Sequence, residues 1–328
     1  MGYQIEVIQR ARARLAQEKA DRESENRQHT AIAYKKVPRL QEIDRQLRMT
    51  LALAAQAVFS KGGDAVAAME EAKQKNLALQ REREALIAAN FEEGFLDDSP
   101  ICDRCGGTGY VGAAMCECLA ELCRQEQKKE ISVLTGGQES FSQFRLDYYP
   151  DRYDPKYGTS PRALMESNLR TCRNFAHTFS RNSENLLFVG GTGLGKTFLS
   201  ACIARAVADR GFCVCYETAA HLFAKLEQAK FSPNDENRRE AEKLNTCDLL
   251  IFDDLGTEMP GQFTTAALYT LINDRMIASL PMVVSTNLTA EEMARRYTPQ
   301  IASRLRGGFH PLTFLGEDIR LLKSREFV

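Results

Sequence analysis

The fold of this chain is decided by one stretch of sequence, Gly190-Gly191-Thr192-Gly193-Leu194-Gly195-Lys196-Thr197. It matches the phosphate-loop pattern G-x-x-x-x-G-K-[ST] at every defined position. The apolar residues 186–189 before it predict a buried strand, and residues 198–209 after it predict a helix. Strand, loop and helix therefore stand in the order that this motif requires.

A loop of this kind binds phosphate through its backbone. Glycines let successive N–H groups turn towards a phosphate, and the positive end of the following helix adds to the attraction. Lys196 is expected to reach the β- and γ-phosphates, while the Thr197 hydroxyl holds Mg²⁺. The alternative, a glycine-rich turn beside a surface lysine, is disfavoured by the flanking strand and helix.

A second motif supports the first from further downstream. The apolar residues 249–252 suit a strand buried on both faces, and this strand ends in Asp253 and Asp254. In a Walker B motif of this kind, Asp253 binds Mg²⁺ and Asp254 orients or deprotonates the attacking water. A strand that simply ends in a polar turn is the alternative.

A third strand, predicted within residues 281–287, also ends in polar side chains. In phosphate-loop ATPases with an additional strand between the two Walker strands, a polar side chain here touches the γ-phosphate. Asn287 is the first candidate and Thr286 the second. Taken alone, the segment equally suits a strand followed by an Asn-containing turn.

Composition limits the function classes. The chain has 328 residues, 44% of them apolar, which suffices for two or three domains with substantial cores. Its net charge of −1 gives no global attraction for nucleic acid, so such contacts must come from local patches. No stretch is apolar enough to span a bilayer and no signal peptide is evident, so we expect a cytoplasmic protein without membrane contact.

Four of the ten cysteines have the spacing of a metal site. Cys102 and Cys105 form one close pair, Cys116 and Cys118 form another, and a glycine-rich turn joins them. Such pairs place four thiolates around Zn²⁺, and metal would supply much of the folding energy of so short a segment. Unligated thiols are the alternative, and Cys123 is a possible substitute for the fourth ligand. The remaining cysteines suit buried positions in helices and strands: Cys172, Cys202, Cys213, Cys215 and Cys247.

The first ninety or so residues predict helices. Pro38 separates a first helix, residues 3–34, from a second, and Gly62-Gly63 separates the second from a third. The stripes of the second and third helices favour an antiparallel hairpin or coiled coil; they are formed by Leu40, Ile43, Leu47, Leu51, Ala54 and Val58, and by Met69, Ala72, Leu79 and Leu86. The more charged first helix either packs within the chain or docks onto another protein.

With these motifs in this order, the sequence resembles the bacterial DnaC/DnaI-type helicase loaders. The resemblance rests on the N-terminal region, the cysteine knuckle, residues 141–144 leading to 160–162, the phosphate loop, and Asp253-Asp254-Leu255-Gly256. The related transposition helper ATPases of the IstB type share most of the ATPase part. The resemblance covers residues 141–328 and, in part, the knuckle, and it barely constrains the first ninety residues.

The resemblance implies an α/β AAA+ P-loop ATPase domain, with a parallel sheet between helices and ATP at the strand ends. It also implies subunit assembly in which one subunit's arginine reaches its neighbour's ATP, and here Arg304 fits that role, with Arg306 second. Arg320, with Lys323 behind it, lies where similar loaders sense nucleotide. Asp254 is shorter than the usual Glu, which suggests slow, switch-like hydrolysis. Little chain follows Arg320 to form the helical lid of larger AAA+ proteins.

Four parts are therefore expected: a helical partner-binding domain at 1–95, the zinc knuckle at 96–130, a linker at 131–165 and the ATPase domain at 166–328. The implied function is an ATP-dependent loader that binds the replicative helicase and helps deliver it onto single-stranded DNA, as a homo-oligomer or an assembly on a hexameric helicase. Residues 220–245 offer cations and aromatic rings for the DNA, among them Phe223, Lys225, Lys230 and Phe231, and a solvated helix and loop is the alternative. The alternatives are a transposition helper that binds duplex DNA and a transposase, and an adaptor whose nucleotide only regulates protein binding.

Overall fold

The computed structural model describes residues 3–59, 65–97, 99–135 and 139–326. The helices span α1 Ile5–Lys36, α2 Pro38–Phe59, α3 Ala65–Asn90, α4 Glu117–Thr135, α5 Pro161–Thr178, α6 Lys196–Asp209, α7 Ala219–Phe231, α8 Asp235–Thr246, α9 Gln262–Ile277, α10 Ala290–Arg296, α11 Pro299–Gly308 and α12 Ile319–Glu326. The strands span β1 Tyr110–Val111, β2 Ala114–Met115, β3 Asn185–Val189, β4 Val214–Thr218, β5 Leu249–Leu255, β6 Met282–Thr286 and β7 Phe309–Thr313.

The chain divides into two compact units. One comprises Met1–Ala11 with Ala120–Val328, and the other comprises Arg12–Leu119. The first contains the large sheet, and the second contains the helices α2 and α3 and the cysteine-rich hairpin of β1 and β2. The finer division at residues 95, 130 and 165 stays a prediction.

The large sheet has five parallel strands in the order β4-β5-β6-β3-β7. The strand before the phosphate loop, β3, is therefore separated by β6 from β5, the strand that ends in the two aspartates. Because all strands are parallel, their carboxyl ends meet at one edge, where Val189 pairs with Thr286. The predicted AAA+ arrangement, a parallel sheet with helices and one strand between the two Walker strands, is confirmed.

Both faces of this sheet are buried, as the continuous apolar runs predict. Phe188 and Ile251 belong to the core on one face, with Leu199 of α6. Leu187 and Phe252 belong to the core on the other face, with Leu268 of α9. Neighbouring strand residues thus point to opposite layers. Truncating a fully buried leucine here to alanine is expected to cost about 2–5 kcal/mol of stability. The loops at the strand ends are therefore anchored on a closely packed core.

In the other unit, α2 and α3 pack side by side in opposite directions. Leu40 and Ile43 are buried, and Arg39 forms an ion pair with Glu82 at 2.7 Å. The helical character predicted for the N-terminal region is confirmed. The predicted Gly62-Gly63 turn and the side chains of Leu51, Ala54, Val58 and Met69 lie outside the described residues.

Helix α1 buries several of its apolar side chains within the chain. Tyr3, Val7 and Ala11 are buried in the first unit, and Leu15 is buried in the second. In the second unit, Leu15 approaches Gly109, where an added Cβ would lie 3.2 Å from the leucine. The structure therefore favours internal packing over partner docking for this part of α1. Among the described helices, none is long and apolar enough to cross a membrane.

Candidate functional site

The phosphate loop joins β3 to α6 and needs its glycines for conformation and space. Gly193 and Gly195 have φ of 72° and 89°, the left-handed region that glycine tolerates. A Cβ at Gly190 would lie 2.5 Å from the carbonyl oxygen of Phe314, and one at Gly193 would lie 1.9 Å from the carboxylate of Asp318. A larger side chain at either position would displace the loop. The N-terminus of α6 therefore lies next to a closely packed glycine loop, as anion binding requires.

A cleft of about 300 Å³ lies over this loop. Residues 192–198 form its floor, and it is completed by Asp254 of the Walker B strand and by Arg320 and Lys323 of α12. Helix α12 is tied to the loop, since the Ile319 amide donates to the Gly193 carbonyl at 3.0 Å. The structure thus brings together Lys196, Thr197, Asp254 and Arg320, which the sequence scatters over a long stretch of chain. Their individual roles stay predictions.

Two hydrogen bonds to the phosphate loop hold Lys196 in place. Its side chain is only 4% exposed, and Nζ donates to the carbonyls of Gly190 and Gly191 at 2.9 and 2.7 Å. Burial lowers the pKa of Lys196, while the nearby Asp254 and Asp253 oppose that effect. A phosphate would give this buried ammonium the anionic partner that it lacks.

Asp253 and Asp254 stand in different environments. Asp253 is buried and accepts hydrogen bonds from the hydroxyls of Tyr216, at 3.0 Å, and Ser285. Asp254 is half-buried and lines the cleft. Burial and the charge of Asp253 raise the pKa of Asp254, partly offset by Lys196 and Arg320. Two adjacent carboxylates suit a divalent cation, because their hard oxygen atoms are the ligands that Mg²⁺ prefers.

Ser285 is a site residue that the sequence reasoning missed. Its hydroxyl donates to Asp253 and accepts the backbone N–H of Asp254 at 2.9 Å. It therefore contacts both Walker B aspartates at once. The available signal was the serine that directly follows the apolar residues 282–284 inside a buried strand, where a hydroxyl needs a partner.

The two candidates proposed at the end of β6 lie elsewhere. Thr286 is buried, and its hydroxyl donates to the Leu255 carbonyl at 2.7 Å and accepts from the Leu288 amide at 3.1 Å. Asn287 is exposed and is absent from the described lining of the cleft. The structure does not bring Asn287 to Lys196, because the polar side chain of β6 that faces the aspartates is Ser285. Contact of Asn287 with a γ-phosphate stays a prediction.

Arg304 lies on α11, and it too is absent from the described lining of its own chain's cleft. Its guanidinium lies 4.7 Å from the centre of the Tyr269 ring and donates to the Tyr269 hydroxyl at 2.6 Å. Arg306 is exposed on the same helix. A position away from its own cleft is what an arginine that acts on a neighbouring subunit requires.

An aromatic strap forms another wall of the cleft. We use this name for residues 139–149, which include two single turns of 3₁₀ helix, Phe141–Gln143 and Leu146–Tyr148. The buried Tyr149 donates its hydroxyl to the Leu194 carbonyl at 2.9 Å, and Phe144 stacks on the Tyr149 ring at 5.7 Å. Sequence reasoning used part of this segment only as a family feature. Its aromatic rings offer a surface for a nucleotide base.

The four predicted zinc ligands come together in the unit Arg12–Leu119. The Sγ atoms of Cys102, Cys105, Cys116 and Cys118 all lie within 4.8 Å of one another. Two pairs are at 3.8 and 3.4 Å, and a tetrahedron with Zn–S bonds of ~2.3 Å places its sulfurs about 3.8 Å apart. The donor set and its spacing fit zinc. The group does not include Cys123, whose side chain is buried.

The candidate DNA segment, residues 220–245, contributes less than its composition suggests. Phe223 is buried and so is not a platform for bases, which corrects our expectation for that residue. Lys225 is paired with Glu217 at 2.6 Å and Glu240 at 2.9 Å. The exposed phenylalanine of this segment is Phe231, whose ring lies 5.6 Å from that of Phe263. Lys230 lies within 5.4 Å of both rings, which gives a cation beside two aromatic faces.

Comparison with known proteins agrees with this geometry. Residues 151–305 match the model of the IstB-like ATP binding protein family. This matched segment of the chain is similar to an ATP-binding protein. It contains the phosphate loop, both Walker B aspartates and Arg304, whereas Arg320 and the cysteine cluster lie outside the matched residues.

Two curated relatives are similar to part of this chain. The replicative helicase loader DnaC of Buchnera aphidicola subsp. Baizongia pistaciae is 22% identical over 138 residues, which is 42% of this chain and 56% of that protein. An ATP-binding protein of insertion sequence IS21 from Pseudomonas aeruginosa is 26% identical over 155 residues, 45% of this chain and 57% of the relative. The chain thus spans little more than half the length of each.

Two crystal structures are similar to part of this chain. The DnaC helicase loader matches with a TM-score of 0.44 and 20% identity, over 53% of this chain and 98% of that one. DnaI matches with a TM-score of 0.45 and 21% identity, over 57% of this chain and 94% of that one.

Proposed function

We propose that this protein is an ATP-dependent loader that binds the replicative DNA helicase and helps deliver it onto single-stranded DNA when replication begins. The observation that carries the proposal is the cleft that joins Lys196, Thr197, Asp254 and Arg320, with Arg304 outside it. One chain supplies the binding half of an ATP site, and a neighbouring chain supplies the arginine. Such a function belongs in the cytoplasm.

Within the cleft each residue has a role that its position supports. The loop amides and Lys196 hold the phosphates of ATP, and the aromatic strap holds the base. Thr197 and Asp253 would hold Mg²⁺, which supplies charge neutralisation on the phosphates. Asp254 orients the attacking water, and Arg320 senses the γ-phosphate from α12.

Hydrolysis in this site is slow and switch-like. Asp254 is a short carboxylate at φ 57°, and its pKa is raised by burial and by Asp253. Burial and the charge of Asp253 disfavour the ionised form of Asp254, and a cation bound beside it would favour that form. ATP therefore times the holding and release of the helicase rather than driving rapid turnover.

The N-terminal helices, with the zinc knuckle, grip the helicase. The α2–α3 hairpin supplies a charged exposed surface, with Glu42, Arg45 and Lys75 among its exposed residues. Zinc held by the four cysteines fixes the fold of the short hairpin between β1 and β2. This role gives a reason for the presence of both features in the same unit.

Single-stranded DNA binds at the cluster of Lys230, Phe231 and Phe263. Aromatic faces beside a cation suit stacked bases and a phosphate backbone, and stacking contributes about 1–3 kcal/mol per base. The double variant Phe231→Ala with Phe263→Ala is expected to weaken single-strand binding about tenfold or more in gel-shift titration. Tyr157→Ala is a matched control, because it removes another exposed ring with a lysine 5.1 Å away. Equal losses in both variants would contradict this assignment.

Co-purification with the replicative helicase tests the loader directly. The helicase should be retained on immobilised wild-type protein in ATP, and Lys196→Ala should change the ATP dependence of that retention because it removes the phosphate-binding ammonium. Lys156→Ala, a substitution of an exposed lysine outside the cleft lining, is the control. No stable or ATP-dependent complex with wild type would refute the proposal.

An IstB-like transposition helper is the second candidate, and it is favoured by the family match and by the IS21 relative. It predicts retention of a transposase and ATP-dependent binding of duplex DNA, with no helicase complex. A nucleotide-regulated adaptor, the third candidate, predicts partner binding with negligible turnover. Helicase retention, duplex binding and phosphate release together separate the three.

A further inference from the structure

The backbone of Asp254 is held in a conformation that a non-glycine residue avoids. Its φ of 57° lies in the left-handed region, which costs an L-residue about 1–2 kcal/mol. The Asp254 carbonyl accepts from the amide and the hydroxyl of Thr257, at 3.2 and 2.9 Å. A tight turn therefore follows the Walker B strand directly, and neighbouring groups must keep it in place.

Glu258 closes this turn from inside the protein. Its side chain is buried, and Oε2 accepts the backbone N–H of Gly256 at 2.9 Å. Gly256 has φ 108°, and a Cβ there would lie 2.6 Å from the Leu288 side chain. The carboxylate thus fixes the backbone two residues from Asp254, at a point where only glycine fits.

The same carboxylate is held on its other side by the junction of α10 and α11. Oε1 of Glu258 accepts from the buried Tyr297 hydroxyl and lies 3.7 Å from Nε of Arg296. Arg296 also donates through Nη2 to the Glu258 carbonyl. Burial and Glu258 raise the pKa of Tyr297, so its hydroxyl stays protonated as the donor. Gly256, Glu258, Arg296 and Tyr297 form what we call the Glu258 clamp.

The clamp joins the two halves of the proposed site. On one side it fixes the turn that carries Asp254, and on the other it fixes the start of α11, which carries Arg304. A buried carboxylate is costly unless several hydrogen-bond donors satisfy it. A carboxylate that only capped a backbone segment would not need to contact both the Asp254 turn and the start of α11. Asp248, at the other end of β5, is such a plain cap: it is buried and accepts from the Cys213 amide at 2.8 Å and from Arg181 at 2.6 Å.

We propose that Glu258 and Tyr297 are positioning residues for ATP hydrolysis. They hold the Asp254 turn in its hydrolytic conformation and couple it to the helix that presents Arg304 to a neighbouring subunit. This inference rests on the proposed ATPase function and adds to it a device within the chain. Neither residue is among those that line the described cleft, so neither contacts the nucleotide.

The test compares Tyr297→Phe and Glu258→Gln with Asp248→Asn in the full chain. Tyr297→Phe keeps the ring volume and removes only the hydroxyl donor. Both clamp variants should lower kcat by about tenfold or more, because misplacing a reacting group is costly. They should leave the ATP dissociation constant within about threefold, since the phosphate loop is untouched. Asp248→Asn should leave kcat within about threefold of the wild-type value, even if it lowers the melting temperature as much as the clamp variants do.

Two further readouts complete the test. Added to Arg304→Ala, Tyr297→Phe should reduce kcat by much less than it does in wild type, because both changes disable one coupled unit. Amide exchange of the peptide covering residues 254–258 should be faster in Tyr297→Phe and unchanged in Asp248→Asn. Clamp variants with the kcat and exchange of Asp248→Asn would overturn the inference. A wild type without turnover would refute the ATPase proposal instead, and the exchange comparison would still decide the clamp.

Discussion

At the scale of single residues, the central observation is that Asp254 is placed against its own preferences. It is half-buried, its neighbour carries the same charge, and its backbone has φ 57°. Burial and Asp253 raise the pKa of Asp254. Because the pKa of Asp254 is higher in the folded state than in the unfolded chain, its ionised carboxylate destabilises the nucleotide-free protein at every pH above the ordinary pKa of aspartate. The placement of Asp254 therefore lowers local stability, as expected for a group with a chemical role.

Asp254→Asn should therefore separate stability from activity. The nucleotide-free variant should melt about 2–4 °C higher, corresponding to ~1 kcal/mol, because it removes the buried charge. ATP hydrolysis should fall by at least about 100-fold, because an amide cannot accept a proton from water. Calorimetry and phosphate release check the two effects. Asp274→Asn, exposed on α9, should change neither. A variant with wild-type turnover would show that Asp254 does not act on the attacking water.

At the scale of secondary-structure elements, charge pairs connect α7, α8 and β4 at the edge of the sheet. Lys225 of α7 pairs with Glu217 of β4 and with Glu240 of α8, and Lys243 pairs with Glu240. Burial alone would raise the pKa of Glu240, but hydrogen bonds from Lys243 and Lys225 outweigh it and lower the pKa. The network is therefore a pH-dependent contact between elements.

Glu240→Gln should remove part of the acid sensitivity of the fold. Since the pKa of Glu240 is lowered in the folded state, its contribution is present above the ordinary glutamate pKa and is lost as pH falls through the folded value. We expect about 1 kcal/mol or less, since both partners keep nearly a third of their exposure. Urea unfolding at pH 7 and pH 4 measures it. The control Glu227→Gln should show the same difference in unfolding free energy between pH 7 and pH 4 as the wild type. The same difference in Glu240→Gln would show that the network contributes nothing.

We expect the fold of the β1–β2 hairpin to depend on zinc bound by its four cysteines. Cys105→Ser should lower the zinc content of purified protein well below one equivalent and destabilise this hairpin, because three thiolates bind zinc more weakly than four. Cys172→Ala, which removes a buried thiol of α5, should keep full zinc. Elemental analysis decides, and wild-type protein without zinc, purified in the absence of chelator, would refute the site.

Much of the fold and of the cleft follows from sequence, and the misses have physical causes. The strands and the phosphate loop are local patterns, so periodicity and glycine spacing predict them well. Ser285 and Glu258 were missed because their significance depends on which elements pack together. Phe223 was misjudged because composition does not tell a buried face of α7 from an exposed one. Asn287 was chosen because it follows the end of β6. Ser285 lies within the strand, and its hydroxyl reaches the aspartates only because β5 packs beside β6.

At the scale of the whole molecule, we propose that the ATP site of one chain is completed by a neighbouring chain. The Arg304 side chain contacts Tyr269 and lies outside the described cleft of its own chain. A composite site predicts that two inactive variants rescue each other. Lys196→Ala cannot bind ATP and Arg304→Ala cannot supply the arginine, but a mixture contains interfaces with an intact pair. Phosphate release should exceed that of either variant alone, and a mixture as inactive as its parts would contradict a shared site.

The most direct measurement of the central claim is helicase loading on a closed circle of single-stranded DNA. The helicase is incubated with the circle, the protein and ATP, and the helicase bound to DNA is quantified after gel filtration. Our account predicts more DNA-bound helicase with the wild-type protein than without it, and no such gain with Lys196→Ala. A helicase that the protein binds but does not deliver onto the circle in ATP would contradict the account.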